Sequence, residues 1–135
     1  MPWVEIFTVF VVSHALGDYL LQTDWQALNK REGLGRNRKA RRALFSHVSV
    51  YTLAYIPALI WLGDDLTALE TAALAVGIFI PHLVQDDGRA LSAYIVRVKG
   101  CGAESSKTVY TSVDQSLHLI ILFLTALAVH AVSTP

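Results

Sequence analysis

Six residues of this chain fall into three pairs with one spacing: His14-x3-Asp18, His82-x3-Asp86 and Asp114-x3-His118. Four residues of α-helix turn by about 400°, so each pair lies on one face, one turn apart. In that arrangement one helix offers two ligands to one metal, or one ligand to each of two. His47, isolated in its own apolar stretch, makes a seventh group. Imidazole and carboxylate without thiolate suit zinc, manganese or ferrous iron better than cuprous ion, and are too rich in nitrogen for magnesium or calcium alone. Four histidines and three aspartates suffice for one or two divalent metal ions, zinc or manganese foremost, with a position left for water or substrate. A metal would bring the pKa of bound water to about 7. A carboxylate not fully engaged by metal, Asp86 or Asp114, would then act as general base.

The elements that must carry these groups are transmembrane. Of the 135 residues, 53% are hydrophobic and 16% charged, and the mean hydropathy is +0.44. So small a soluble domain needs more polar surface than that. Disorder is excluded by the same figures, and the balance of 11 basic and 11 acidic residues excludes a basic nucleic-acid binder. A single cysteine, Cys101, excludes a disulfide scaffold or a cysteine-rich zinc module and reads as an inert reduced thiol. Four stretches reach the 20 or so apolar residues a span requires: 3–22, 43–62, 66–94 and 110–132. The third is the weakest, interrupted by Glu70 and by Gln85-Asp86-Asp87-Gly88-Arg89, and Pro57 and Pro81 should kink their spans. No stretch alternates with period two, so the expected fold is all-α: a single integral membrane domain, a bundle of four transmembrane helices.

Seven of the 11 basic residues lie between the first two spans, and the other four lie at the end of the third span or in the loop after it. By the positive-inside rule both basic loops are cytoplasmic and both termini face outward. No basic region precedes the first span and no small-residue cleavage site follows it, so that span is expected to be retained. Depth gives an independent check on the seven groups. At roughly 1.5 Å per residue from the outer end of each span, His14 lies about 17 Å down and Asp18, His47, His82 and His118 about 23–24 Å. Asp86 and Asp114 fall near 29–30 Å, at the cytoplasmic headgroup level. Scattered tolerated polar residues would have no reason to agree in this way, and each costs at least about 2.5 kcal/mol to insert. The competing structural reading makes the same groups interhelical hydrogen-bond glue without metal. Gln22, one turn beyond Asp18, together with Gln115 and Tyr51, is placed to orient the ligands, and Arg89 to meet an anionic headgroup. His130, near the outer end of the last span, reads as an interfacial residue without a role in the site.

These residues also carry a resemblance. His14-Ala-Leu-Gly-Asp18-Tyr-Leu-Leu-Gln22-Thr-Asp-Trp25 with Lys30 downstream, the isolated His47, His82-Leu-Val-Gln-Asp86 and Asp114-Gln115-Ser-Leu-His118 together resemble a family of small bacterial and phage membrane proteins catalogued as domain of unknown function 3307. The family pattern has Lys three residues after the third-span Asp, where this chain has Arg89, a planar fork in place of a point charge. The resemblance covers nearly the whole chain and implies a multi-pass protein of the bacterial inner membrane, but no reaction. By motif style the chain is more loosely similar to helical His/Asp-rich metallohydrolases such as zinc-dependent phospholipases C and single-strand nucleases. The expected function is therefore a membrane-embedded metal-dependent hydrolase acting on a phosphoester or an anionic lipid headgroup, with membrane lipid and a second copy of the chain as expected partners. A non-catalytic membrane scaffold or assembly factor, and a transporter of protons or divalent metal, are the alternatives.

Overall fold

The computed structural model describes residues 1–100 and 107–133; Cys101 lies outside them. Among the described residues there are seven α-helices and no strand. The first helix, α1 (Trp3–Ala15), runs without a break into a π-helical turn, Leu16–Leu20, closed by the i→i+5 bond from Leu21 N–H to the Leu16 carbonyl (2.9 Å). A short helix, α2 (Asp24–Asn29), follows. Its start is fixed by a capping box in which Thr23 and Gln26 bond each other's backbone N–H. Next come α3 (Arg38–Leu53), whose first amides are capped by Asn37 Oδ1, and α4 (Ile56–Leu62).

The expected second span is thus two helices meeting at a 40° bend. The bend falls just before Pro57, as expected; the proline stands in the first turn of α4, where its missing N–H costs nothing. The following helix, α5 (Ala68–Asp87), opens on a second capping box, Thr67 with Glu70. Glu70, an apparent interruption in the sequence, is the residue that starts this span. Pro81 is accommodated inside α5. The expected continuation of the third span to residue 94 does not occur. Gly88 adopts φ +77, a left-handed conformation that ends α5 and begins the separate α6 (Arg89–Arg97). The last helix, α7 (Lys107–Ser133), is the longest.

Three helical stretches are long and apolar enough to cross a membrane, Trp3–Leu20, Ala68–Asp87 and Lys107–Ser133, and the bent α3–α4 pair makes a fourth if it counts as one span. Large apolar side chains such as Val12, Ile60, Leu69 and Leu124 point outward, more than half exposed. A core of Ile6, Phe10, Tyr55, Leu62, Leu122 and Ala126 closes one end of the bundle, and Leu44, Val48 and Leu83 form a smaller cluster elsewhere in it. At one end His130 Nδ1 donates to the Met1 carbonyl at 2.7 Å, joining α7 to the N-terminus.

Candidate metal centre

Three helical segments deliver four donors to a single point. Asp18 comes from the π-turn, His47 from α3, and His82 and Asp86 from consecutive turns of α5; one atom of each lies within 4.8 Å of the other three. Asp86 Oδ2 is 2.8 Å from His47 Nε2 and 3.1 Å from His82 Nε2. Asp18 Oδ1 is 3.2 and 3.4 Å from the same two nitrogens, which are 3.1 Å from each other. Four ligands bonded to one ion at 2.0–2.1 Å in a tetrahedron stand about 3.3–3.4 Å apart. The observed separations fall at or slightly inside that figure. All four side chains are at most 5% exposed.

Second-layer contacts lock the rings. Tyr51 stacks flat on His82, with centroids 3.4 Å apart and planes 7° from parallel. The Gln22 carboxamide lies against His47, its Nε2 3.1 Å from Nδ1. Gly17 permits the close approach of the π-turn to α3, since a Cβ there would lie 2.7 Å from the Tyr51 ring. Three buried polar atoms in the site make no hydrogen bond: Asp18 Oδ1, His82 Nδ1 and His118 Nε2. For Asp18 Oδ1 this is so despite two ring nitrogens within 3.4 Å.

Asp86 also faces a second set of groups. With Asp114 and His118 of α7 it forms another cluster whose donor atoms lie within 4.8 Å of one another. His14, the remaining expected ligand, stands one layer back. Its Nε2 donates to Gln115 Oε1 at 2.9 Å, its Nδ1 meets the Tyr51 hydroxyl at 3.0 Å, and its closest approach to Asp18 is 3.8 Å. The two residues do lie on one face, as their spacing predicts, but both His14 nitrogens are already engaged by Gln115 and Tyr51. Gln115 in turn reaches Asp18 Oδ2 at 3.4 Å.

The spacing argument missed Lys30. Its Nζ, at the end of α2, bonds Asp86 Oδ2 at 2.8 Å and is 15% exposed. The segment after it is pinned to the end of α5. Glu32 N–H donates to the Asp87 carbonyl and Leu34 N–H to Asp87 Oδ1, both at 2.8 Å. Arg89 Nε completes Asp87 at 2.6 Å, and this hydrogen bond raises the guanidinium's pKa. Arg89 itself is 53% exposed and directed at Asp87, away from the donor cluster. The legible signal for this fold-back was Thr23-x-x-Gln26, a helix-starting pattern inside what otherwise reads as a basic loop. Beside the cluster opens a polar cavity of about 230 Å³ lined by Asp18, Lys30, Arg31, Asp86, Asp114 and Gln115 among others. Arg31 is held at its wall by stacking 3.8 Å over the Tyr110 ring.

A buried His/Asp cluster on an all-α scaffold with apolar outer faces defines the class: a helical protein with a potential metal site. The family model described as "Protein of unknown function (DUF3307)" matches residues 6–134, and the chain belongs to that family. No curated protein and no solved structure matches it.

Proposed function

We propose that the chain is a membrane-embedded metal-dependent hydrolase whose site opens at the cytoplasmic face and accepts a phosphoester, such as an anionic lipid headgroup. The observation that carries this reading is the convergence of buried Asp18, His47, His82 and Asp86 donors beside a cavity that Lys30 and Arg31 also line. Zinc or manganese fits the mixed nitrogen and oxygen donors. Bound there, the metal would polarise a phosphoryl oxygen and lower the pKa of water.

The chain's own groups divide the remaining work. Lys30 and Arg31 supply positive charge for the phosphoryl oxygens. Of the two carboxylates expected to be catalytic, Asp86 is enclosed by its partners, whereas Asp114 is 22% exposed and lines the cavity. Asp114 is therefore the group placed to take a proton from attacking water. The concentration of Lys and Arg next to this cavity supports a cytoplasmic opening under the positive-inside rule.

The test is elemental analysis of protein purified in mild detergent, followed by phosphate release from anionic phospholipid and from a soluble phosphoester. Near-stoichiometric zinc or manganese, lost in His82→Ala and Asp86→Ala together with any hydrolysis, is the expected result. A stable, metal-free protein would instead assign the cluster to helix packing alone, and metal without hydrolysis of either substrate would remove the enzymatic reading.

A further inference from the structure

Asp86 has two carboxylate oxygens, and they face different neighbours. Oδ2 meets His47, His82 and Lys30; Oδ1 points toward His118, whose Nε2 is 3.8 Å away. The protonation of His118 follows from its other nitrogen. Nδ1 lies 2.8 Å from the Asp114 main-chain carbonyl, which can only accept, so Nδ1 carries the proton. Neutral His118 then presents a bare lone pair at Nε2. That lone pair is buried, has no hydrogen-bond donor, and points at a carboxylate oxygen, acceptor against acceptor. A separation of 3.8 Å is too long for a hydrogen bond and leaves room for a cation bonded at about 2.1 Å to each atom. A histidine whose Nδ1–H is anchored on a main-chain carbonyl is also the usual form of a metal-bound imidazole.

We propose that a second divalent cation binds between Asp86 Oδ1, one oxygen of Asp114 and His118 Nε2, so that Asp86 bridges two metals and the outer one binds together with a phosphoryl anion. The inference rests on the metal centre proposed above, though not on its hydrolytic activity. The two sites differ in completeness. The inner one has four protein ligands, a full tetrahedral set; the outer one has three, of which Asp86 and Asp114 line the 230 Å³ polar cavity, and so keeps a position open. Carboxylate-bridged pairs of this kind hold their ions about 3.5–4 Å apart. Asp114 keeps its second oxygen for the proton transfer already assigned to it.

Charge sets the order of binding. Asp18, Asp86 and Asp114 against Lys30 and Arg31 leave the site one charge negative while its imidazoles are neutral. One divalent cation makes it singly positive. A second raises the excess to three positive charges, which an entering phosphoryl dianion relieves. Inner occupancy should therefore be tight and unconditional, and outer occupancy weaker and dependent on phosphate.

Manganese provides the readout. The metal-free protein, in detergent, is titrated with Mn²⁺ alone and with Mn²⁺ plus inorganic phosphate, followed by electron paramagnetic resonance. The expected result is one tight uncoupled ion, then a second whose binding phosphate tightens about tenfold and which gives an exchange-coupled pair signal. Asp114→Asn and His118→Gln, near-isosteric and checked for helix content and melting, should lose the second ion and keep the first. A wild-type protein that holds one uncoupled ion with or without phosphate overturns the proposal while leaving the inner site intact. So does a coupled pair that persists in folded His118→Gln. A protein that binds no Mn²⁺ at all overturns this proposal and the metal centre together.

Discussion

Gly17→Ala adds one methyl group at the contact between the π-turn and α3, and its effect can be worked from the distances there. The new Cβ would lie 2.7 Å from Tyr51 Cδ2 and 3.2 Å from its Cα, where ordinary contacts begin at 3.4 Å. The phenol ring cannot turn aside. It is 1% exposed, stacked on His82, and bonded through its hydroxyl to Tyr55 at 2.8 Å. The π-turn must therefore retreat by about 0.7 Å, carrying the adjacent Asp18 with it. Overpacking of this kind costs about 1–3 kcal/mol of stability in the metal-free protein. A carboxylate that must sit about 2.0–2.2 Å from an ion cannot absorb the shift, so metal affinity should fall on the order of 10–100-fold. Competition with a chromophoric chelator reads the affinity, and thermal melting by circular dichroism reads the stability. Gly77→Ala is the control. Nothing lies within 4 Å of its added methyl, and alanine in mid-helix is better than glycine by roughly 0.5–1 kcal/mol, so it should match or exceed the native protein. If Gly17→Ala binds and melts like the native chain, the close approach is not what holds Asp18 in place, and the account of the site is wrong at its base.

Other substitutions probe the surrounding structure. Glu32 is the one described non-glycine residue with positive φ, at +59, so Glu32→Gly should stabilise the fold-back loop by about 1 kcal/mol in a thermal melt. Asp87→Ala removes the acceptor for Leu34 N–H and Arg89, and should cost about 1–3 kcal/mol. Because that loop positions Lys30, the same variant should also weaken phosphate binding to the metal-loaded protein in calorimetry. Tyr51→Phe keeps the stacking on His82 while losing the bonds to His14 and Tyr55, so it should lower stability by about 1–2 kcal/mol and leave metal stoichiometry unchanged.

How much of this was legible in the sequence divides along physical lines. The pairs His82/Asp86 and Asp114/His118 lie on regular α-helix, where spacing translates directly into a shared face, and both appear as expected in the two clusters. His14 and Asp18 also share a face, 3.8 Å apart, but the π-turn between them and the bonds of His14 to Gln115 and Tyr51 set the histidine one layer back. No local propensity announces a π-turn, because tertiary contact at Gly17 sustains it. Helix ends were misjudged wherever a polar residue could serve either as an interruption or as a boundary. Glu70 is a cap, and Gly88 separates two helices that the apolar count had merged. Lys30 stood in the sequence only as part of a resemblance, with no role in the site, because its partner, Asp86, lies 56 positions further on, beyond the reach of any local pattern. Charge and hydropathy could place Lys30 in a basic loop but could not fold that loop under the bundle.

The order of the donors along the chain has a consequence for biosynthesis. Asp18, His47, His82 and Asp86 all precede residue 87, whereas Asp114 and His118 belong to the final helix. A nascent chain that has released only its first two-thirds from the ribosome already possesses every ligand of the inner ion. It could capture that ion before the last helix exists, leaving α7 to dock against a preloaded centre and bring Asp114 and His118 to its edge.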